Sequence, residues 1–329
     1  MKNKISVAKL FGVSAVLLAA LPLSAGAQEN WPDGPLNIIV AFAAGGGSDR
    51  QARVLAGPLE EQLGVPVTVQ NLPGGGGQVA ATVMLREPTD APVMLAINEP
   101  DLTMADVIGN APFSRSDFEV IAVDVVDPRI LMVANDSPFQ SFAEFVDTAR
   151  ENPGELTIAT AQGNAQELFA KWMAKALDID VRIVGYSGGS EAANAMLGGH
   201  VSATLGDDFS RLNIRGESRA LMVAAPQESP RWPEAETLVE ALAPYDVEVP
   251  APDFLARYGV YAVQSAFQQE YPERYERLQQ AILAAMESDA YLQSVEASGL
   301  DDLSLRAPGE EYAESFRATE AALLEATGE

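Results

Sequence analysis

The sequence repeats one local pattern four times: a short apolar run, a turn rich in glycine, and a segment with helical spacing. The four turns are "AAGGGS" at 43–48, "NLPGGGG" at 71–77, "AQGN" at 161–164 and "SGGS" at 187–190. Strand, turn and helix in this order are typical of α/β proteins with mostly parallel sheets. Because turns that follow parallel strands meet at one sheet edge, we predict an α/β fold whose glycine turns line one cleft.

The glycine turns have the composition of an anion-binding site. Glycine lets the backbone approach a ligand closely, and the start of a helix offers unpaired N–H groups with a partial positive charge. For any one turn, glycine can equally serve only to permit a tight bend, and that alternative stays open. No turn carries a complete G-x-G-x-x-G or a Gly-Lys-Ser/Thr end, so no nucleotide cofactor is expected.

Composition narrows the chemistry further. The formal net charge is −26, which argues against a nucleic-acid partner, since phosphate backbones are bound through clustered Lys and Arg. The chain has no cysteine and one histidine, His200. Disulfides, thiolate catalysis and cysteine-rich or histidine-rich metal sites are therefore excluded, and we expect neither a metal nor a cofactor.

The first 27 residues have the composition of a secretory signal peptide. Lys2, Lys4 and Lys9 precede the apolar "LFGVSAVLLAALPL", and "AGA" at 25–27 fits a small-residue cleavage site. A membrane anchor is disfavoured because this apolar stretch is short and contains Pro22. We predict export and cleavage near Gln28.

One catalytic motif does occur, because "GYSGG" at 185–189 satisfies the G-x-S-x-G of a hydrolase nucleophile elbow. Such a hydrolase needs Ser, then an acid, then His in chain order. His200 follows Ser187 by 13 residues, with Glu191 as the one acid between them, and this spacing leaves no room for the intervening elements. We therefore expect no enzyme, and a serine hydrolase using Ser187 remains the weakest alternative.

Several other segments carry local predictions. The segment "SPFQSFAEFVDTAR" predicts a helix capped by Ser137, and 227–253 has the Pro-rich, acidic composition of a loop. The tail from residue 265 predicts acidic amphipathic helices interrupted near "LSLRAPG". Asp49 and Arg53, at i and i+4, form either a solvated helix pair or a pair beside the cleft that orients the loop or a ligand.

At these motifs the chain resembles a known family. The stretch "WPDGPLNIIVAFAAGGGSDRQARVLAGPLEEQLGVPVTVQNLPGGGG" is similar to the start of the tripartite tricarboxylate transporter substrate-binding proteins, the TctC or Bug receptor family. The likeness continues through "NPGELTIATAQGN", "GYSGGSEAANAMLGGHVSATLGD" and "IRGESRALMVAAP". It implies an α/β fold like the type II periplasmic binding proteins, with two domains that close on a ligand in the manner of a Venus flytrap.

The resemblance also implies a ligand and its contacts. The family's two carboxylate-binding loops fall on Phe42–Asp49 and Thr160–Asn164, its Tyr-x-Gly loop on 186–188, and its Pro-Gly-rich loop on 74–77. The predicted ligand-binding residues are Phe42, Ala44, Gly45, Gly46, Gly47, Ser48, Asp49, Gly75, Gly76, Asn98, Thr160, Ala161, Gln162, Gly163, Asn164, Tyr186, Ser187, Gly188 and Asp207.

From this resemblance we expect a periplasmic monomer that delivers a di- or tricarboxylate, or a related organic acid, to the large and small membrane subunits of such a transporter. A ligand-sensing module of a signalling receptor is the main alternative. After the signal peptide at 1–27, we expect domain I to comprise residues 30–129 and 250–329, and domain II residues 130–249.

Overall fold

The computed structural model describes residues 31–107, 109–225, 227–247 and 256–327, without the side chains of 322–327. The described residues belong to one compact unit that begins at Trp31. The predicted signal peptide lies outside the described residues. Within the described ranges, no helix has the length and apolar character needed to cross a membrane.

The elements alternate between strands and helices along most of the chain. The strands are β1 (Leu36–Val40), β2 (Val67–Asn71), β3 (Val93–Glu99), β4 (Phe118–Ala134), β5 (Thr157–Ala161), β6 (Arg182–Tyr186), β7 (Ala203–Asp207), β8 (Ser218–Val223), β9 (Glu236–Thr237), β10 (Ala256–Gln264) and β11 (Ser304–Pro308). The helices are α1 (Gly47–Leu63), α2 (Gln78–Met84), α3 (Asp101–Val107), α4 (Phe142–Glu151), α5 (Ala165–Ala176), α6 (Gly189–Leu197), α7 (Leu238–Leu242), α8 (Ser265–Glu270), α9 (Pro272–Met286), α10 (Asp289–Ser298) and α11 (Ala313–Thr327).

One half of the sheet forms what we call the first lobe. Strand β1 pairs in parallel with β2 and β3, and β10 and β11 add antiparallel pairs to the N-terminal part of β4. In β1 four of five residues are buried, which explains why "LNIIV" is a nearly continuous apolar run rather than an alternating one. Helices α1, α2 and α9 pack on this sheet and complete its hydrophobic core.

The other half forms the second lobe. Strands β6, β5 and β7 run in parallel, and the C-terminal part of β4 pairs with β7 and β8. Helices α4 and α5 contribute the buried aromatic residues Phe142, Phe145 and Phe169 to one core, and α6 packs in another. This lobe repeats the strand–turn–helix logic of the first lobe.

Strand β4 runs through both lobes. Its Pro128 is paired with Ala256 of β10, and the next residue, Arg129, is paired with Asp207 of β7. The change of partner between Pro128 and Arg129 lies one residue before the predicted boundary at 129/130. The predicted domain limits stay predictions, because residues 248–255 are outside the described ranges.

Two local predictions were wrong. The helix predicted over "SPFQSFAEFVDTAR" begins at Phe142 and is capped by Ser141, whose hydroxyl accepts from the Glu144 N–H at 3.2 Å, instead of by Ser137. The passage from 227 to 253 contains β9, α7 and the fully buried Trp232, although its composition predicted a loop. The helical tail with an interruption near residue 305 is confirmed, and β11 is that interruption.

Candidate functional site

A cavity of about 350 Å³ lies between the two lobes, at the edge where β1, β5 and β6 end. Turns and strand ends of both lobes line it: Phe42, Ala43, Gly46, Gly47, Ser48, Asn98, Ala161, Asn164, Gln166, Ser187, Gly188, Gly189, Ser190, Glu191, Asn194, Asp207, Ser210, Arg211 and Arg257. Three of the four glycine turns therefore meet at one place, as the parallel strand order requires.

The first turn leads into α1 and leaves the start of this helix facing the cavity. Gly45 has φ +80°, which favours glycine, and the N-cap residue Gly46 provides no side-chain cap. Asp49 folds back on the turn, because its carboxylate accepts from the Gly45 N–H at 2.8 Å and pairs with Arg53 at 3.0 Å. Asp49 is buried and does not line the cavity, so its contacts orient the loop.

The electrostatics of Asp49 agree with this role in the loop. Burial raises its pKa, but the hydrogen bonds from Arg53 and from the Gly45 N–H outweigh burial and lower the pKa below its usual value. The carboxylate therefore remains charged and keeps the turn closed. The first-turn N–H groups of α1 remain available for an anion, since no side chain in the described ranges caps that helix.

The second predicted loop, before α5, uses its backbone donors within the protein. The Asn164 side chain accepts from the Gln166 and Glu167 N–H groups at 3.0 and 3.4 Å. The Ala165 N–H donates to Asp101 at 2.7 Å, and Asp101 belongs to the first lobe. A carboxylate of the chain thus occupies the N-terminus of α5 and links the two lobes.

The turn before α6 presents a second uncapped helix start. Its N-cap residue, Gly188, has no side chain that could accept from the first N–H groups of the helix. The preceding Ser187 donates from its N–H and its hydroxyl to the Glu191 carboxylate, at 3.0 and 2.5 Å. The pKa of Glu191 is lowered by these two hydrogen bonds. The Ser187 hydroxyl thus donates to a carboxylate. A hydrolase mechanism needs a hydrogen bond between this hydroxyl and a histidine, and the described part of the chain shows none between Ser187 and His200.

The remaining glycine turn, at 71–77, does not line the cavity, so the prediction that all four turns line one cleft was wrong for this turn. Gly74 to Gly77 all have positive φ, and a Cβ built on Gly76 would lie 2.3 Å from the Gly163 carbonyl oxygen of the second lobe. None of these four residues lines the cavity. This turn is a close backbone contact between the lobes beside the cavity.

Buried charges form one wall of the cavity. Arg257 pairs with Asp127 at 2.8 Å and also donates to Asn98 at 3.0 Å. Asp207 accepts from Arg129 and, at 2.9 Å, from Gln166. Burial raises the pKa of Asp127 to about 6, although the Arg257 guanidinium opposes this rise.

Arg211 is the exception among the buried arginines. Arg129, Arg231 and Arg257 each have a carboxylate within 4 Å in the described residues, whereas Arg211 has none there. Its side chain is 4% exposed and lines the cavity, and its Nε and Nη2 have no hydrogen-bond partner in the described part of the chain. Burial lowers the pKa of this guanidinium.

The cavity brings together ten of the predicted ligand-binding residues: Phe42, Gly46, Gly47, Ser48, Asn98, Ala161, Asn164, Ser187, Gly188 and Asp207. The other predicted residues do not line it: Ala44, Gly45, Asp49, Gly75, Gly76, Thr160, Gln162, Gly163 and Tyr186. Sequence reasoning missed seven polar lining residues: Gln166, Ser190, Glu191, Asn194, Ser210, Arg211 and Arg257. In the described residues, no group of three or more His, Cys, Asp or Glu side chains could hold a metal ion.

Comparison with known proteins places these features in a family. The family model described as "Tripartite tricarboxylate transporter family receptor" matches residues 51–307. A Pseudomonas sp. (strain P51) protein described as "UPF0065 protein in tcbD-tcbE intergenic region" is 30% identical over 257 residues, which cover 76% of this chain and 75% of that protein.

Solved structures show the same fold. The periplasmic binding protein BugD superposes with a TM-score of 0.79 at 22% identity, over 91% of this chain and 99% of that one. R. palustris Rpa4515, solved with adipate, has a TM-score of 0.77 at 21% identity, over 91% of this chain and 98% of that one. The predicted fold class, an α/β periplasmic binding protein fold with two domains and a cleft between them, is confirmed.

Proposed function

The chain belongs to the family of tripartite tricarboxylate transporter receptors, and from this premise we propose that it captures a small carboxylate and delivers it to the membrane subunits of such a transporter. Proteins of this family are periplasmic solute-binding receptors, which are not enzymes. Export through the signal peptide and a monomeric state are part of the proposal. One relative in fold was solved with adipate, a dicarboxylate, which supports an organic acid as ligand.

The observation that carries the proposal is the uncapped N-terminus of α1 beside Ser48 in the cavity between the lobes. A helix of this length presents unpaired N–H groups and a partial positive charge at its start. A carboxylate placed there accepts charge-assisted hydrogen bonds from the backbone. The Ser48 hydroxyl, which lies beside it, donates to Asn98 at 3.1 Å in this structure and would have to turn from that partner to contact the ligand. This arrangement needs no basic patch on the surface.

Residues of both lobes line the same cavity, so a bound ligand contacts both lobes at once. A ligand that binds the closed arrangement better than the open one shifts the population toward closure. The proposed cycle is therefore capture in the open form, closure of the lobes on the carboxylate, and docking of the closed form on the membrane subunits.

The first experiment is a thermal-shift screen of the mature protein against mono-, di- and tricarboxylates. A ligand at 100 times its Kd stabilises the folded state by about 2.7 kcal/mol, which corresponds to a rise in Tm of several degrees for a protein of this size. A rise with at least one acid is the expected result. Folded, ligand-free protein that responds to no acid would contradict the proposal.

Calorimetry on variants then tests the position of the site. Ser48→Leu and Asn164→Leu each place a bulky apolar side chain at the cavity, so each should weaken binding of the acid found in the screen by at least about tenfold. Gln293→Leu, an exposed change on α10, is the matched control and should leave Kd unchanged. Unchanged affinity in both cavity variants would exclude this position.

Delivery is tested in cells. A strain that lacks the gene should lose uptake of the identified acid, and expression of the wild-type protein should restore uptake whereas the Ser48→Leu variant should not. Restoration of uptake by a variant that does not bind the acid would contradict delivery by this protein.

A further inference from the structure

Arg211 is a buried cation whose local surroundings do not neutralise it. Asp127 and Asp207 attract it, but both already accept hydrogen bonds from other arginines, Asp127 from Arg257 and Asp207 from Arg129. Arg129 and Arg257 thus already engage these two aspartates. One positive charge on this wall has no carboxylate of its own in the part of the chain that the structure describes.

Two glycines, Gly206 and Gly189, leave the space that the Arg211 guanidinium occupies. A Cβ on Gly206 of β7 would lie 2.4 Å from Nε, and a Cβ on Gly189, the first residue of α6, would lie 2.8 Å from Nη2. Any larger residue at either position would displace the guanidinium. The side chain is therefore held against the first turn of α6, beside the cavity.

The first N–H groups of α6 add to this positive charge, although the Glu191 carboxylate, which accepts from Ser187, lies in the same turn. Gly188 gives no side-chain cap, so the first N–H groups of the helix are available beside the guanidinium. A buried cation whose Nε and Nη2 atoms have no partner among the described residues, next to a helix start without a side-chain cap, has the chemistry that an anionic group requires. This group lies in the second lobe, whereas the start of α1 lies in the first lobe, and residues of both line one cavity.

From this arrangement we infer that Arg211, together with the start of α6, binds a second carboxylate of the ligand, so that the cavity selects dicarboxylates over monocarboxylates. The inference rests on the proposed function and names its ligand class. The first carboxylate lies at α1, and the second neutralises Arg211. Arg211 is in this view the residue that determines specificity.

The test compares matched acids by calorimetry: succinate with butyrate, glutarate with pentanoate, and adipate with hexanoate. The wild-type protein should bind the best diacid at least about 30-fold more tightly than the monoacid of the same length, which is the effect of losing one partner of a buried charged pair. Arg211→Met should remove this preference, because it should weaken binding of the diacid far more than binding of the monoacid. Arg211→Lys, which keeps the charge without the planar fork, should retain part of it.

Two further variants control for folding. Arg182→Met removes an exposed arginine of the same lobe and should keep the wild-type preference. Gly189→Ala moves only the tip of the guanidinium, so it should reduce the preference even if Arg211→Met does not fold. Equal loss of both acids in the folded Arg211 variants, or a preference that survives them, would overturn the inference.

The outcomes also separate this inference from the proposed function. A wild-type protein that binds diacids and monoacids equally well would overturn the role of Arg211 and leave carboxylate capture intact. A folded wild-type protein that binds none of the six acids, nor any acid of the wider screen, would overturn both.

Discussion

Gly76→Ala is the sharpest test of how the two lobes meet. Gly76 has φ +63°, and a Cβ at this position would lie 2.3 Å from the Gly163 carbonyl oxygen, about 1 Å closer than the ordinary contact limit of 3.4 Å. The obstacle is backbone on both sides, so no side chain can rotate away. The two turns must separate, and the lobes cannot adopt the arrangement described above without strain.

Gly76→Ala should have two separate effects, backbone strain at the substituted residue and a steric clash between the lobes. A left-handed alanine costs about 1 kcal/mol in every folded form, open or closed, and therefore lowers Tm without changing affinity. The clash exists only where the turns touch, and overpacking of this size costs about 1–3 kcal/mol. If ligand binding requires this contact, Kd should rise roughly 5- to 150-fold.

Gly64→Ala is the matched control for the first effect. Gly64 has φ +71° and caps the C-terminus of α1, and a Cβ built on it would meet no heavy atom of the described residues within 4 Å. We expect both variants to show the same loss of Tm, measured by calorimetric scanning, and only Gly76→Ala to show a raised Kd in titrations with the identified acid. An unchanged Kd for Gly76→Ala would refute the idea that the ligand-bound form contains this contact.

Two predictions concern buried charges and stability. Burial raises the pKa of Asp124 from 3.8 to about 6, although the hydroxyl of Tyr291 donates to it, so the native state keeps a proton that the unfolded chain releases. The free energy of unfolding therefore falls as pH rises from about 4 to 6.5. Asp124→Asn should abolish this decrease, so that across this range the free energy of unfolding of the variant, measured in urea, rises relative to wild type by up to about 3 kcal/mol. Equal pH profiles of the two proteins would contradict this prediction. Arg257→Met leaves Asp127 buried without its ion pair and should cost about 3–5 kcal/mol near neutral pH. The loss should shrink near pH 5, because Asp127, whose pKa is raised to about 6, can then take up a proton; the same loss at both pH values would contradict this.

The local part of the site could be predicted from the sequence. Positive φ at Gly45 and Gly163, and a strand before each turn, follow from residues only a few positions apart. The parallel order of the strands then brings the turns to one edge. For these reasons the turns at 43–48, 161–164 and 187–190 lie together, as the repeated pattern predicts.

The charged wall could not be predicted because its partners are far apart in the chain. Arg257 and Asp127 are separated by 130 residues, and the Ala165 N–H meets an aspartate 64 residues away. Nothing local distinguishes Arg211, in "FSRLN", from an arginine in a solvated turn. Its role depends on Gly189 and Gly206, which only the folded chain brings beside it.

The start of α4 was predicted wrongly for the same reason, because contacts with distant parts of the chain decided it. Ser137 and Ser141 are both suitable caps, and Pro138 favoured the earlier start of α4. The later start was selected by packing, because Phe142 and Phe145 are both fully buried in the second lobe. Where two local signals are equal, the burial of aromatic surface decides between them, since each such side chain contributes a few kcal/mol.

The net charge of −26 and the capture of an anion are compatible because they act over different distances. Charges on the surface are screened beyond about 8 Å at physiological salt, so most of the acidic side chains contribute little inside the cavity. In the proposed complex the start of α1 and the Arg211 guanidinium act within hydrogen-bond distance of the ligand and in a medium of lower dielectric constant, where the same charge has an effect several times larger. Affinity is therefore set by a few oriented groups, while the surface charge affects solubility and the rate of encounter. A protein can thus remain strongly acidic and still bind carboxylates, provided that its cationic groups are buried beside the ligand.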